Sequence, residues 1–413
     1  KAIADLAYKE TSEEVARAYR GEELKFGPEY IIPKPFDARL ILEVAPAVAQ
    51  AAMDSGVATR PLEDMRAYRE HLSKFVFKSS MLLQPVMDAA KKDPKRVIYA
   101  EGENENVLRA VQAVIDEKMA KPILVGRPDV VNNRIQKLGL RMKLGEHFDL
   151  INPEKDDRYK EYWKLYHRIV RRRGVSVEAA KTIVRTNTTV IAALAVVRGD
   201  ADAMICGTYG RFDFHIRYVI DVIGKKTANQ NISTLSTLIL PRQTLFMTDA
   251  FMTVDPTVDQ IVETTVAAAE QVRSFGVTPK VALLSHSNFG SSRAPSAKKM
   301  GKAAKILRER CPDLIIDGEM HAEVAFNEDL REQIVGESRL DGAANLLVFP
   351  NLDAANITLE MLKTLDNGLL VGPILLGAKL PAHVVTPAVS SRGILNMTAI
   401  AVKDAQMTEK NQE

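Results

Sequence analysis

The chain has 413 residues, 46% of them hydrophobic and 26% charged, with a formal net charge of +3. So small a charge on so long a chain excludes a global electrostatic case for nucleic acid or a membrane surface, and neither is expected as a partner. The longest apolar runs, such as Val190 to Val197, fall far short of the roughly 20 residues a membrane span needs. Two cysteines, Cys206 and Cys311, stand in unrelated contexts without metal-site spacing, which speaks against a disulfide framework and fits a reducing, cytoplasmic setting. The length suits about two or three domains.

Lys1 to Tyr19 reads as a helix already under way, with Ala2, Leu6, Val15 and Ala18 among charged residues. The chain opens without Met, and its start is expected to be a cut, with functional sequence upstream. Phe26 to Asp37 carries three prolines and a glycine, which excludes a long helix or a central strand. An alanine-rich helix is expected over Arg39 to Ser55, stopping at Gly56, and an amphipathic one over Met65 to Phe77. These elements carry too few apolar residues for a core of their own. Residues 1 to 78 therefore read as the end of a domain that began upstream, plus a linker.

From Lys95 short apolar runs alternate with helices. Strands are expected at Arg96–Ala100, Lys121–Val125, Ala203–Cys206, Thr234–Leu240, Leu245–Phe251, Lys280–Leu284, Leu314–Ile316, Leu346–Phe349 and Leu370–Ile374. The helices between them include Glu105–Lys118, Val130–Gly139, Asp156–Arg173 and one or two over Ser176–Arg198. That order argues for an α/β fold with mostly parallel sheets, and two sheets fit the length better than one.

The usual signatures are missing. No Gly-x-Gly-x-x-Gly follows a strand, there is no Gly-x-x-x-x-Gly-Lys-Ser/Thr, the seven histidines form no metal pattern, and the Ser287 loop lacks Gly-x-Ser-x-Gly. What remains is polar clusters at the ends of apolar runs. Val281-Ala-Leu-Leu284 stops at Ser285-His-Ser-Asn-Phe-Gly-Ser-Ser292, and a helix-compatible segment, Ala297 to Arg310, follows. Ligands bind at strand ends of this kind in open parallel sheets, and the same residues also serve to turn a chain and cap a helix. Further clusters are Cys206-Gly-Thr-Tyr-Gly210 with Arg217 beyond it, Asp317-Gly-Glu319, Phe349 to Asn356, Gly372-Pro373 with Gly377, and Ser390-Ser-Arg-Gly393. Each alone reads as a cap or turn. Together they favour a shared cleft for an anionic, phosphate- or carbonyl-bearing ligand.

These residues carry a resemblance. Val281 to Ser291, Asp317-Gly-Glu319, Asn345 to Asn356, Gly372-Pro-Ile-Leu-Leu-Gly377 and Ser391-Arg-Gly393 resemble the motif series of phosphate acetyltransferases, a likeness running from residue 95 to about 403. Tyr30 to Leu40, Val44-Ala-Pro-Ala-Val48 and Asp54-Ser-Gly-Val-Ala58 resemble the C-terminal end of a bacterial malic enzyme. The two together resemble the layout of hybrid, NADP-dependent bacterial malic enzymes. The resemblance implies a two-subdomain fold with a cleft between its sheets, one subdomain from 79–225 with 386–413 and the other from 226–385, preceded by the helical tail.

It also implies ligand-binding roles for Arg217, Ser287, Asn288, Gly290, Ser291, Asp317, Asn356, Ser391 and Arg392. The family base, an Asp seven residues after the motif serine, falls on Thr398 here. A family arginine falls on Val170, with Arg171 one residue further on, and the lysine of the Ser-rich loop is Phe289. Residue by residue, Arg392 also suits a helix-end salt bridge, Arg168 and Arg171 to Arg173 a solvated, dipole-compensating face, and Thr398 a packed helix position. The expectation is a regulatory and oligomerisation domain that binds acetyl-coenzyme A as a small-molecule effector, with acetyl transfer lost. Its partners would be its own malic enzyme domain and further copies of itself, a dimer within a hexamer being one arrangement. NADP and a divalent metal, Mg or Mn, would belong to the upstream domain. An active phosphate acetyltransferase and a purely structural module are the alternatives.

Overall fold

The computed structural model describes residues 1–8, 26–27, 31–33, 40–76, 78–227, 231–240, 243–366 and 368–410. By contacts the chain divides into Lys1–Gln84 and Pro85–Glu413, six residues later than the expected division at 78/79. The break lies inside the helix Lys78–Lys92, at a proline that cannot donate to the helical ladder.

In the first unit, helix Ala2–Ala7 ends at Tyr8, and the rest of the helix expected to Tyr19 lies outside the described residues. So does most of the proline-rich stretch, together with Arg39 and Phe77. The alanine-rich helix is Ala45–Asp54, entered through a π-helical turn at Leu40–Val44. Pro46 suits its first turn, where an N–H would go unpaired, and the Ser55 hydroxyl donates back to Ala51 O at 2.8 Å. Helix Met65–Val76 starts where Asp64 Oδ1 accepts from the amides of Arg66 and Ala67. Among the residues of this unit whose burial is described, Leu6, Ala7, Pro33, Pro46 and Leu83 are buried.

The second unit holds the strands β1 (Lys95–Tyr99), β2 (Ala120–Val125), β3 (Asp149–Ile151), β4 (Ala203–Cys206), β5 (Ser233–Ile239) and β6 (Thr244–Thr248). After these come β7 (Lys280–Leu284), β8 (Ile315–Met320), β9 (Leu346–Val348), β10 (Leu369–Leu376) and β11 (Ala382–Val384). One sheet has the order β11-β4-β1-β2-β3, and all its pairings are parallel. The other has the order β10-β5-β6-β9-β7-β8, antiparallel at β10-β5 and β5-β6 and parallel from β6 onward. The parallel strands are near-continuous apolar runs because helices cover both faces.

Three expectations need correcting. β3 and β11 were not expected, and β11 joins the first sheet, so the chain returns to that sheet before residue 386. Asp317-Gly-Glu319 is not a loop ending a strand but the middle of β8. Gly372-Pro373 lies within β10, at a register shift between Val371 and Ile374 that accommodates a residue without an N–H.

Two helices do most to build the first sheet's core. Thr188–Arg198 is buried continuously from Thr189 to Val196, as expected of a helix apolar all round. It is bent by 101° from Val177–Thr186, because Asn187 leaves helical geometry and its side chain accepts from Val190 N at 3.1 Å. The second, Ser391–Lys410, packs on β1 and β4 and also reaches β10 of the other sheet. No single helix among the described residues is long and apolar enough to cross a membrane. Asn187→Ala removes the side-chain acceptor at this bend and is expected to cost about 1 kcal/mol, read from denaturant unfolding.

Candidate functional site: the carboxyl ends of two facing sheets

In the first sheet the chain runs from β1 outward to β2 and β3, then crosses back to place β4 on the other side of β1. The ends of β1 and β4 are therefore the topological switch point, where the loops part and leave a crevice. Glu101 follows β1 into it and is only 4% exposed. Its Oε2 accepts from Gly207 N at 3.0 Å, Thr208 N at 3.3 Å and the Thr208 hydroxyl at 3.4 Å, all just past β4. Gly207 is required here: its φ is 101°, and a Cβ would come within 2.3 Å of Val385 O. Burial pushes the Glu101 carboxyl up to about 7, against the pull of those donors.

Beside Glu101 lies a cavity of about 220 Å³ at the ends of β1 and β2, lined also by Glu103, Arg127, Arg185, Thr188 and Tyr209. Glu103 and Arg127 form a two-point ion pair with both distances 2.9 Å. The His215 ring is buried next to Glu101, with Nδ1 at 2.8 Å from the Thr189 hydroxyl and Nε2 at 2.7 Å from Tyr209 O.

In the second sheet β6, β9, β7 and β8 end at one edge, so their following loops gather there. The Ser-rich loop, residues 285–292, winds around a carboxylate of the chain itself. Glu319 Oε1 accepts from the Ser287 hydroxyl at 2.8 Å and from Gly290 N at 2.7 Å. Phe289 takes a left-handed φ of 49° to aim that amide, and its own N–H donates to Glu319 O at 2.7 Å. On the far side Gly301 leaves the room, since a Cβ would meet Glu319 Oε2 at 2.4 Å. The Asn288 side chain accepts from His321 N at 2.8 Å, and Ser291 Oγ accepts from Asn288 N at 2.9 Å. The Ser287 hydroxyl and the Gly290 amide, both expected to face a ligand, are thus bonded to Glu319.

Asp317 lies behind this loop, 5% exposed, and accepts from Arg308 at 2.9 Å and the Ser338 hydroxyl at 2.8 Å. It buttresses β8 from within. Asn356 donates to Ala250 O at 3.2 Å and ties the helix after β9 to the loop after β6. That loop begins at Asp249, whose φ is 43° and whose carboxylate accepts from Thr234 and Thr253; burial raises its pKa.

Ser391 and Arg392 open the last helix, on the first sheet's side. The Ser391 hydroxyl donates to Asn106 Oδ1 at 3.4 Å, and Asn106 Nδ2 donates to Val389 O at 3.3 Å. Arg392 is half-buried beside them. Arg217 is exposed on helix Phe212–Val222, its guanidinium 5.3 Å from the Tyr218 ring. The two strand-end regions meet where Phe212, which opens that helix, packs on Phe251, three residues past β6, with ring centroids 5.5 Å apart.

Thr398 lies about two turns into the last helix, 0% exposed. Its hydroxyl donates to Ile394 O at 2.8 Å and therefore accepts from the Tyr99 O–H, also at 2.8 Å. Val170 is buried and Arg171 exposed. The sequence reading assigned no role to Glu101, His215, Asp249 or Glu319. The signal available was a carboxylate or imidazole directly beyond an apolar run, which a solvated turn shares.

Residues 81–402 match the family described as phosphate acetyl/butaryl transferase. The chain is 54% identical to an NAD-dependent malic enzyme of Rhizobium meliloti, over 98% of this chain and 53% of the relative. It is 51% identical to an NADP-dependent malic enzyme of Salmonella typhimurium, over 99% of this chain and 54% of that one. It thus spans about half the length of these relatives, and the match falls on the C-terminal half of the NADP-dependent enzymes. Among solved structures, a phosphotransacetylase from Streptococcus pyogenes superposes with a TM-score of 0.75 at 26% identity, covering 80% of this chain and 100% of that one. With two α/β sheets arranged as in that structure and a family match over most of its length, the chain belongs to the phosphate acetyl/butaryl transferase family.

Proposed function

We propose that this chain is the regulatory and oligomerisation portion of a hybrid malic enzyme, binding acetyl-coenzyme A in the cleft between its sheets, with phosphate acetyl transfer lost. The observation that carries the reading is Thr398. Attack of a coenzyme A thiol on acetyl phosphate requires the thiol to lose a proton, which a carboxylate base assists. At the position where the resemblance puts that base stands a buried hydroxyl, already committed to Tyr99 and Ile394 O. Threonine does not ionise near neutral pH. The position of one family arginine is the buried Val170. Arg217, Ser391 and Arg392 remain at the strand-end region to meet an anionic ligand.

A ligand that prefers one arrangement of the cleft shifts whatever is attached to it, which is what a sensor requires. The attached activity would be oxidative decarboxylation of malate to pyruvate, using NADP and Mg or Mn held by residues upstream of Lys1. The names of the two malic relatives divide between NAD and NADP, so the dinucleotide is to be assayed on the full-length protein. Self-association is supported by an apolar stripe on helix Leu352–Leu365, where Ile357, Met361 and Leu365 recur every fourth residue and are 57%, 55% and 76% exposed. A second copy presenting the same stripe would cover it.

Four outcomes are expected. Formation of acetyl-coenzyme A from acetyl phosphate should run at least roughly 100-fold below an active phosphotransacetylase, the usual cost of a lost general base; turnover at the active enzyme's level would replace this reading with a working acetyltransferase. Calorimetric titration should show acetyl-coenzyme A binding, weakened about 10- to 100-fold by Arg392→Ala through the loss of a charge-assisted contact. Absence of binding at millimolar ligand would leave a structural module. Ser287→Ala should instead lower stability, by about 1–3 kcal/mol in denaturant unfolding, because it strips a donor from the buried Glu319 carboxylate. Met361→Glu should shift sedimentation toward the monomer.

A further inference from the structure

Glu101 is bonded on one side only. Oε2 takes three donors from residues 207 and 208, whereas Oε1 is buried and has no hydrogen-bond partner. His215 Nδ1 lies 3.9 Å from that oxygen. Both side chains are more than nine-tenths buried. Tyr209 O only accepts, so His215 Nε2 carries a hydrogen, and in the neutral ring Nδ1 accepts from the Thr189 hydroxyl.

We propose that Glu101 and His215 hold one exchangeable proton between them, and that its loss loosens the 207–210 loop and the start of the helix that carries Arg217. The proton sits either on Glu101 Oε1 or on His215 Nδ1, where it would be donated to Thr189. In both cases the pair is neutral overall. Removing it releases one proton to solvent by way of the cavity that Glu101 lines and leaves a buried carboxylate with an empty oxygen. Such a charge is costly unless water reaches it. The loop past β4 is the element positioned to yield: its donors favour the ionised carboxylate but do not offset its burial, so opening this loop to water is what relieves the charge, and Gly210 has a φ of 85°. His215 and Arg217 share one helix, and Phe212 at its start touches Phe251 of the second sheet, so a loosening here reaches the cleft whichever ligand occupies it.

The surrounding charges do not neutralise the pair. On the loop after β1, Glu103 is tied to Arg127; on the helix after β4, Asp213 is tied to Arg211. Across the cavity, Arg185 donates to Glu154 O and lies over the Tyr159 ring. On β4 the buried Cys206 thiol is held well above its ordinary value by burial and by Glu101. On β11, His383 is directed to Asp404 at 3.2 Å. Burial raises Glu101 from an ordinary 4.5 to about 7 and lowers His215, which sets the exchange near neutrality. Because the folded state binds this proton more tightly than the unfolded chain, its contribution to stability is fully present below pH 4.5 and is lost as the pH rises through 7.

The experiment is hydrogen–deuterium exchange on the full chain at pH 6 and pH 8, corrected for intrinsic rates and read on peptides covering residues 207–217. Protection should fall about tenfold at the higher pH. Glu101→Gln places an N–H where the neutral carboxyl has its O–H, and should hold protection at the pH 6 level throughout. Its melting temperature should also gain on the unmodified chain as the pH rises from 5 to 8. Glu103→Gln, in the same cavity but outside the pair, should keep the pH step. A flat profile in the unmodified chain overturns the proposal even if the Gln variant does not fold, and so does a pH step that survives in Glu101→Gln.

Discussion

In both sheets a carboxylate of the chain occupies the amides at the ends of parallel strands, and the strand-end region is built around that constraint. Glu319 fills the Ser-rich loop after β7, and Glu101 fills the turn after β4. Amides at strand ends and helix starts carry partial positive charge and attract anions. A protein that leaves them open obtains an anion site; one that supplies its own anion obtains a fixed loop. Here Glu319 and Glu101 occupy the amides of their loops.

The two carboxylates are not equivalent. Glu319 Oε1 has two donors from one loop, with Gly301 clearing space for the other oxygen. Glu101 concentrates its donors on one oxygen and leaves the second bare. Each takes its donors on one oxygen, but of the two only Glu101 has its other oxygen buried without a partner, and such an atom stores a cost that a proton removes. The asymmetry separates a rigid loop in one sheet from a proton-sensitive loop in the other.

Much of the architecture was legible because buried parallel strands are apolar runs cut off by polar loops, as Lys280–Leu284 followed by Ser285 illustrates. β3 and β11 escaped because each is three residues long and contains Asp149 or His383, which break the run. Asp317 and Glu319 read as a turn because the sequence does not show that Arg308, Ser338 and Ser287 wait to pair with them inside β8. Glu101 was invisible for a similar reason. The residue that gives its position meaning, Thr208, lies 107 residues along the chain, so only the crossing from β3 back to β4 brings them together.

The last helix joins the consequences. Ser391–Lys410 packs on β1 and β4 while reaching β10, and Lys403 donates to Ser274 O at the end of the helix Val258–Ser274. Thr398 sits in the middle of this bridge, bonded to Tyr99 at the end of β1, two residues before Glu101. A carboxylate at position 398 would place a second acidic group in the core close behind Glu101, with Tyr99 as its available donor. The hydroxyl avoids that repulsion and lets the helix pack tightly on β1. Thr398 is thus one of the residues that fix the first sheet to the element spanning both, and a rigid link between two sheets is what a cleft needs if its occupancy is to be felt elsewhere in the protein.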